Sequence, residues 1–183
     1  MLRKLTLEEL QAGLSDIRQS PTNDGVLQGI VIRPDTNERV SLNQCELSPE
    51  LGVHGDNWAK GCWKTLQDGR PHPDVQVAIM NARSIELIAQ DKDRWQLAGD
   101  NLFVDLELTD ENLPCGQRLA IGSVVLEITK VAHNGCKKFS ERFGKDAVRF
   151  VNSDAGKTLH LRGIYAKIVQ SGTVKVGDDI KKV

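Results

Sequence analysis

Apolar residues recur at helical spacing at Leu7, Leu10, Leu14 and Ile17, and Thr6 followed by Glu9 has the form of a capping box. Residues 1–20 therefore predict a helix that packs against whatever follows. Pro21 to Gly25 breaks that period, and the pattern shortens: residues 26–33 and 39–47 are rich in β-forming side chains and joined by the turn-rich Pro-Asp-Thr-Asn-Glu, which predicts a hairpin. Residues 51–74 carry Gly, His, Asp, Trp and Pro without a period, as in long ordered loops that bear function. A short buried strand is predicted over 75–80 and a helix over 82–90, with Ile85, Leu87 and Ile88 on its inner side.

Three more strands are predicted over 102–108, 118–121 and 124–132, the last two joined by a tight turn at Gly122-Ser123. After Cys136 the period changes again. Two short helical pieces, broken at Gly144, place Phe139 with Phe143 on one face and Ala147 near Phe150. The chain closes with strands over 163–170 and 173–176 around Ser171-Gly172, read as a second hairpin. Seven or more short strands interrupted by a few helices fit a closed or nearly closed β-barrel better than a βαβ sheet, so the fold class is mainly β with appended helices. With 183 residues and neither repeat nor linker, the chain reads as a single domain.

Composition removes several function classes. There are 24 Lys and Arg against 25 Asp and Glu, so a generally basic nucleic-acid binder is not indicated, and 4% aromatic residues leave few base-stacking platforms. No apolar run approaches the roughly 18 residues of a membrane span, and Glu8 and Glu9 interrupt any signal-like start, which predicts a cytoplasmic protein without membrane or nucleic-acid partners. Cys45, Cys62, Cys115 and Cys136 are far apart and lack CxxC spacing, so free thiols are expected rather than disulfides or a zinc ribbon. GxSxG, GxGxxG and the P-loop pattern are absent.

The near-neutral total conceals an asymmetry around one cysteine. Residues 133–167 hold eight basic and three acidic side chains, net +5, against −6 for the remainder. Cys136 opens this segment, after Asn134-Gly135 and before a predicted helix. Cationic neighbours such as Lys137 and Lys138 and a helix start both favour thiolate, below the free value of about 8.5. A small buried apolar cysteine beside a solvated cationic helix face is the other reading of the same residues. Arg142 and Arg162 are the better candidates to clamp an anion, because guanidinium binds phosphate or oxyanion groups bidentately. Asp56 and Asn101 have two readings, hydrogen bonding to a planar ligand or fixing tight turns beside Gly55 and Gly99.

Three separated segments resemble one family. Gly52 to Trp58 (GVHGDNW) resembles the Gly-x-x-Gly-Asp element of MOSC domains, named for the C-terminal part of molybdenum-cofactor sulfurases. Ala98 to Phe139 resembles its central stretch, with an Asn-Leu pair, a Gly-x-x-Leu-x-Ile-Gly run and one distinctive cysteine; Arg162 to Ile180 resembles its closing hairpin. Departures are Gly135 where the family commonly has Pro, Asp100 where it has Glu, and Asn57 where it has Arg. The resemblance implies a pyruvate-kinase-barrel-like β-barrel over about residues 24–183, following the helix of 1–20. It implies that Cys136 carries sulfane sulfur as a persulfide or ligates the molybdenum of a molybdenum–pterin cofactor held by Lys137, Lys138, Arg142, Arg162, Asp56 and Asn101. The activity implied is cofactor-linked sulfur transfer or reduction of N-hydroxylated compounds. The chain lacks room for an aminotransferase-like desulfurase portion, so a separate cysteine desulfurase or a redox partner protein is expected. The contrasting expectation is a non-catalytic barrel that binds a small anionic ligand or partner with Cys136 inert.

Overall fold

A computed structural model describes residues 3–183. Seven strands close into a ring. In spatial order they are β11 (Asp179–Lys182), β7 (Arg118–Ile121), β8 (Val124–Ile128), β9 (Ile164–Gln170), β5 (Val77–Asn81), β6 (Leu102–Asp105) and β1 (Gly25–Ile32). Pairing of Gly25 with Ile180 and Val26 with Asp179 joins the two ends. All neighbours in the ring are antiparallel except β5 and β6. The parallel step is made through α4 (Ala82–Ala89), capped by the Asn81 side chain accepting from Ser84 N–H.

Alternation along the strands sorts side chains between two cores. Leu102 and Val104 point into the barrel with Leu27, Ile79, Leu126 and Ile180, whereas Phe103 and Met80 point outward into the helical layer. Every residue of β5 is buried because that strand is covered on both faces. The helical layer comprises α1 (Leu7–Ala12), α2 (Leu14–Ile17), α4, α5 (Lys137–Phe143), α6 (Lys145–Val151) and α7 (Asp154–Thr158). Leu10, Ile17, Ile85, Phe139, Phe143 and Phe150 fill it.

The capping box is formed, with Thr6 Oγ1 accepting from Glu9 N–H and Glu9 accepting from Thr6 N–H. The single helix expected over the first twenty residues is instead two short ones separated at Gly13. A side chain at Gly13 would meet Leu87 of α4 at 2.5 Å, so the break lets this segment lie close on α4. The short helix α7 and the closing strand β11 were not evident from periodicity.

The first predicted hairpin forms only between β1 and β2 (Val40–Leu42), after which β3 (Gln44–Ser48) leaves for a second sheet with β4 (Gly52–Val53) and β10 (Gly172–Lys175). The expected closing hairpin is likewise corrected: β10 pairs with β3, not with β9. Ser123 in the β7–β8 turn intercepts the chain there, accepting from Thr173 N–H at 2.8 Å and donating its own N–H to Thr173 O at 3.1 Å. The long segment over 51–74 also contains β4, the single turn α3 (Trp58–Gly61) and a Thr65–Pro71 bridge. Among the described residues no helix is long and apolar enough to cross a membrane.

Candidate functional site: an arginine collar beside Cys136

The Leu97–Asn101 stretch enters β6 from a short 3-10 helix (Lys92–Ala98) through Gly99 at φ +86°, and three of its carbonyls are taken by three arginines from different parts of the chain. Leu97 O accepts from Arg142 at 2.7 Å, Ala98 O from Arg162 at 2.9 Å and Gly99 O from Arg33 at 3.1 Å. A fourth, Arg39, lies against Gly99 beside Arg142: a Cβ placed on Gly99 would sit 3.7 Å from Arg39 Nη2 and 3.8 Å from Arg142 Nη1. Burial and the charges of Arg142 and Arg33 hold Arg39 below the usual guanidinium range, and its buried Nε has no partner among the described residues.

Two buried carboxylates answer four guanidinium groups. Asp56 grips Arg33, with Oδ1 accepting from Nε at 2.9 Å and Oδ2 from Nη2 at 2.7 Å, and it also accepts from Arg33 N–H and Asn101 Nδ2. Asp100 is fully buried, and its Oδ2 accepts from Arg162 Nη1 at 2.5 Å. Burial pushes the Asp100 carboxyl up, opposed by Arg162 and Arg33. Asn101 is also fully buried, accepting from Ala78 N–H and donating to Val31 O and Asp56. Asp56 and Asn101 thus spend their hydrogen bonds on cross-linking β1, β5 and the Gly-Asp loop. The collar keeps a cationic excess in surroundings that screen charge less than water does.

His133 lies on the other side of Asp100, with Nδ1 3.5 Å from Asp100 Oδ1, and its ring stacks on Tyr165 at 4.4 Å. Burial pushes the imidazole well below its ordinary range, and the Arg162 and Arg33 charges add to this. Burial and the Asp100 charge raise Tyr165 to about 12. The unfolded chain therefore takes up a proton at His133 near pH 6.5 that the fold refuses until lower pH. Stability is expected to fall as pH drops below about 6.5, at up to about 1.4 kcal/mol per pH unit. His133→Phe, which keeps an aromatic ring against Tyr165, should flatten that slope in urea unfolding between pH 7.5 and 5; an unchanged slope would contradict a neutral buried imidazole.

Cys136 occupies the N-cap of α5 without making a capping bond and is exposed. Its neighbours tie it to the collar: His133, three residues before, faces Asp100, and Phe139, three residues after, lies under the Arg162 guanidinium at 4.9 Å. The Asn152 side chain brackets Gly135, accepting from its N–H at 2.9 Å and donating to its O at 3.2 Å. Proline there would lack that donor, and any Cβ would sit 2.8 Å from Val151, which accounts for this departure from the family pattern. Where the family has Arg after Gly-Asp, Asn57 donates its N–H to Arg33 O, and Arg33 supplies the guanidinium beside Asp56.

Of the residues singled out from sequence, Asp56, Asn101, Arg142 and Arg162 converge. Lys137 and Lys138 do not join them: both are exposed, and Lys137 lies 4.0 Å from Glu141 on its own helix. The basic segment is partly neutralised too, with Arg149 paired to Asp146 and Lys167 to Glu127. Arg33, Arg39, Asp100, His133 and Tyr165 were missed as site residues. The legible signal was the placement of Arg33 and Arg39 at either end of one hairpin turn. The other cysteines are free thiols: Cys45 buried in β3, Cys62 half-buried against Val75 and Tyr165, Cys115 exposed.

A closed barrel with a helical layer and a cationic collar beside an exposed cysteine defines the class to which the chain is similar. The MOSC domain family model matches residues 53–181, and the chain belongs to that family. Solved structures with the same fold include YuaD from Bacillus subtilis, 19% identical over 86% of this chain and 95% of that one, TM-score 0.60. YiiM from Geobacillus stearothermophilus is 14% identical over 87% and 75% of the two chains, TM-score 0.58. YiiM from Escherichia coli is 17% identical over 86% and 69%, TM-score 0.54. No curated protein matches the chain in sequence.

Proposed function

We propose that this MOSC domain holds a phosphate-bearing molybdenum–pterin cofactor in the arginine collar, with the Cys136 thiol as the soft donor directed to its metal. The observation that carries this reading is the surplus of guanidinium over carboxylate around Gly99. Arg39 and Arg142 converge there, their mutual repulsion only partly offset by Asp56. Like charges so placed are costly unless an anion sits across them, and guanidinium groups suit phosphate oxygens.

The donor set fits such a group. Among the described residues no cluster of three His, Cys, Asp or Glu gathers to hold a metal, which suits an ion that brings most of its ligands with it and takes one from the protein. When bound, the cofactor supplies two-electron redox chemistry. The chain's own residues bind and orient: Arg39 and Arg142 neutralise the anionic tail, Asp56 and Asn101 hold Arg33 and the Gly99 turn in place, and Lys137 and Lys138 make the approach to Cys136 cationic.

Exposure of the thiol favours a second use of the same residue. The Cys136 thiolate attacks the outer sulfur of a persulfide on a donor protein, such as a cysteine desulfurase; the new S–S bond forms as the donor leaves as thiolate, and the outer sulfur then passes to an acceptor.

Protein purified from a host with an active molybdopterin pathway is expected to contain molybdenum and releasable pterin. Cys136→Ala should lose molybdenum, and Arg39→Ala/Arg142→Ala should lose both. Unchanged metal in Cys136→Ala would refute ligation, and a persulfide mass increment on Cys136 after incubation with desulfurase and cysteine would identify sulfur carriage. Alkylation of Cys136 no faster than that of exposed Cys115 near neutral pH, together with neither cofactor nor persulfide, would leave a non-catalytic anion-binding barrel.

A further inference from the structure

The collar accounts for the arginines but not for the far side of Asp100. There, Asp100 Oδ1 and His133 Nδ1 are both buried, face each other at 3.5 Å and have no hydrogen-bond partner among the described residues. The His133 side chain is only 10% exposed. Its ring is fixed by the Tyr165 stack, and it lines a cavity of about 430 Å³ with Pro114, Lys130, Val131, Gly163 and Ile164. That volume lies within the range of small-molecule sites.

The chemistry of the pair sets the tautomer. An ionised carboxylate only accepts hydrogen bonds, so the single proton of a neutral imidazole belongs on Nδ1, where a small approach completes a bond to Asp100. Nε2 then keeps its lone pair. Because Nδ1 is enclosed, the accessible part of the ring is the part that meets the cavity. Arg162 and Asp100 offset each other behind the ring, Asp110 and His160 in the lining pair with each other at 3.0 Å, Lys130 is exposed, and Leu113, Ile128 and Val131 give the walls their apolar area. An uncharged ligand meets the apolar walls without the desolvation cost that a charged one incurs.

We propose that the Asp100–His133 pair presents the Nε2 lone pair as the hydrogen-bond acceptor of a binding site for a small uncharged molecule bearing an N–H or O–H donor, housed in the cavity between residues 113–115, 128–133 and 163–164. The proposal stands on this cavity and this pair and does not depend on a cofactor in the collar.

Histidine ¹⁵N labelling with long-range ¹H–¹⁵N correlation at pH 7.5 tests the first half, and the expected result is a protonated Nδ1 and an unprotonated Nε2 at His133. Pyrazole, an uncharged N–H donor, tests the second. It should shift the Nε2 resonance and the Val131 and Ile164 amides saturably, and 1-methylpyrazole, which lacks the donor, should bind about tenfold more weakly. His133→Phe should abolish the preference for pyrazole. An Nε2–H tautomer, equal binding of the two azoles, or no saturable shift at Val131 and Ile164 would overturn the assignment.

Discussion

Arg162→Met is expected to destabilise the fold by about 3–5 kcal/mol, the range for removing one partner of a buried ion pair. Both members are enclosed, with Arg162 6% exposed and Asp100 fully buried, so solvent does little to screen the loss. The guanidinium does three things at once: it donates to Asp100 Oδ2, donates to Ala98 O and covers the Phe139 ring. Methionine keeps part of the last contact and neither of the first two. The abandoned carboxylate would take up a proton, so its folded-state pKa rises further above the unfolded value. A group raised in this way costs stability as pH increases, and the defect should be larger at pH 8 than at pH 5. Urea unfolding at the two pH values measures this. Adding Asp100→Asn should recover a substantial part of the loss, because a neutral amide replaces the stranded charge; a double variant as unstable as the sum of the singles would show that the two side chains are not coupled.

Gly163→Ala is expected to cost about 3 kcal/mol or more, through two effects that reinforce each other. Gly163 has φ +106°, where any Cβ strains the backbone, and its α-carbon lies against the carbonyl oxygen of Ile79, into which a methyl group would be driven. The same methyl would sit 3.2 Å from Asp100 Oδ1. Ile79 pairs with Ile164 in the next register position, so relief of the clash would pull apart the β5–β9 ladder that seats Tyr165 under His133. Gly177 is the control. It has φ +98° but none of the described residues lies within 4 Å of an added Cβ, so Gly177→Ala should cost only the backbone penalty of about 1–2 kcal/mol. Equal losses in the two variants, measured by urea unfolding, would show that contact with Ile79 and Asp100 contributes nothing.

These effects meet at Asp100, which stands out in the sequence only as a departure from a family pattern. Its neighbour Asn101 was singled out, and the difference is instructive. A buried ionic side chain leaves no periodic trace in the sequence, since its partners Arg162 and His133 lie tens of residues away. The local charge window around Cys136 took in Arg142 and Arg162, which lie in the collar, but counted Lys137, Arg149 and Lys167 with them, although these are solvated or paired on the surface. Half of the collar, Arg33 and Arg39, comes from a hairpin about a hundred residues earlier.

Strand content, the Gly122-Ser123 turn, the helical break at Gly144, the Thr6 cap and the inward faces of the helices were set by sequence, because each depends on side-chain alternation or capping among neighbours. The same local information misplaced β10 and omitted β11, since strand pairing is decided by which distant backbone edge remains unpaired. Closure of the barrel is what brings β1, the Leu97–Asn101 turn, the His133–Cys136 segment and Arg162 to one place. Sequence alone determined the family, the β class and Cys136 as the candidate thiol. Tertiary structure decided that four arginines form a collar around two buried carboxylates, because charge clusters of this kind depend on distances through space that separation along the chain does not encode.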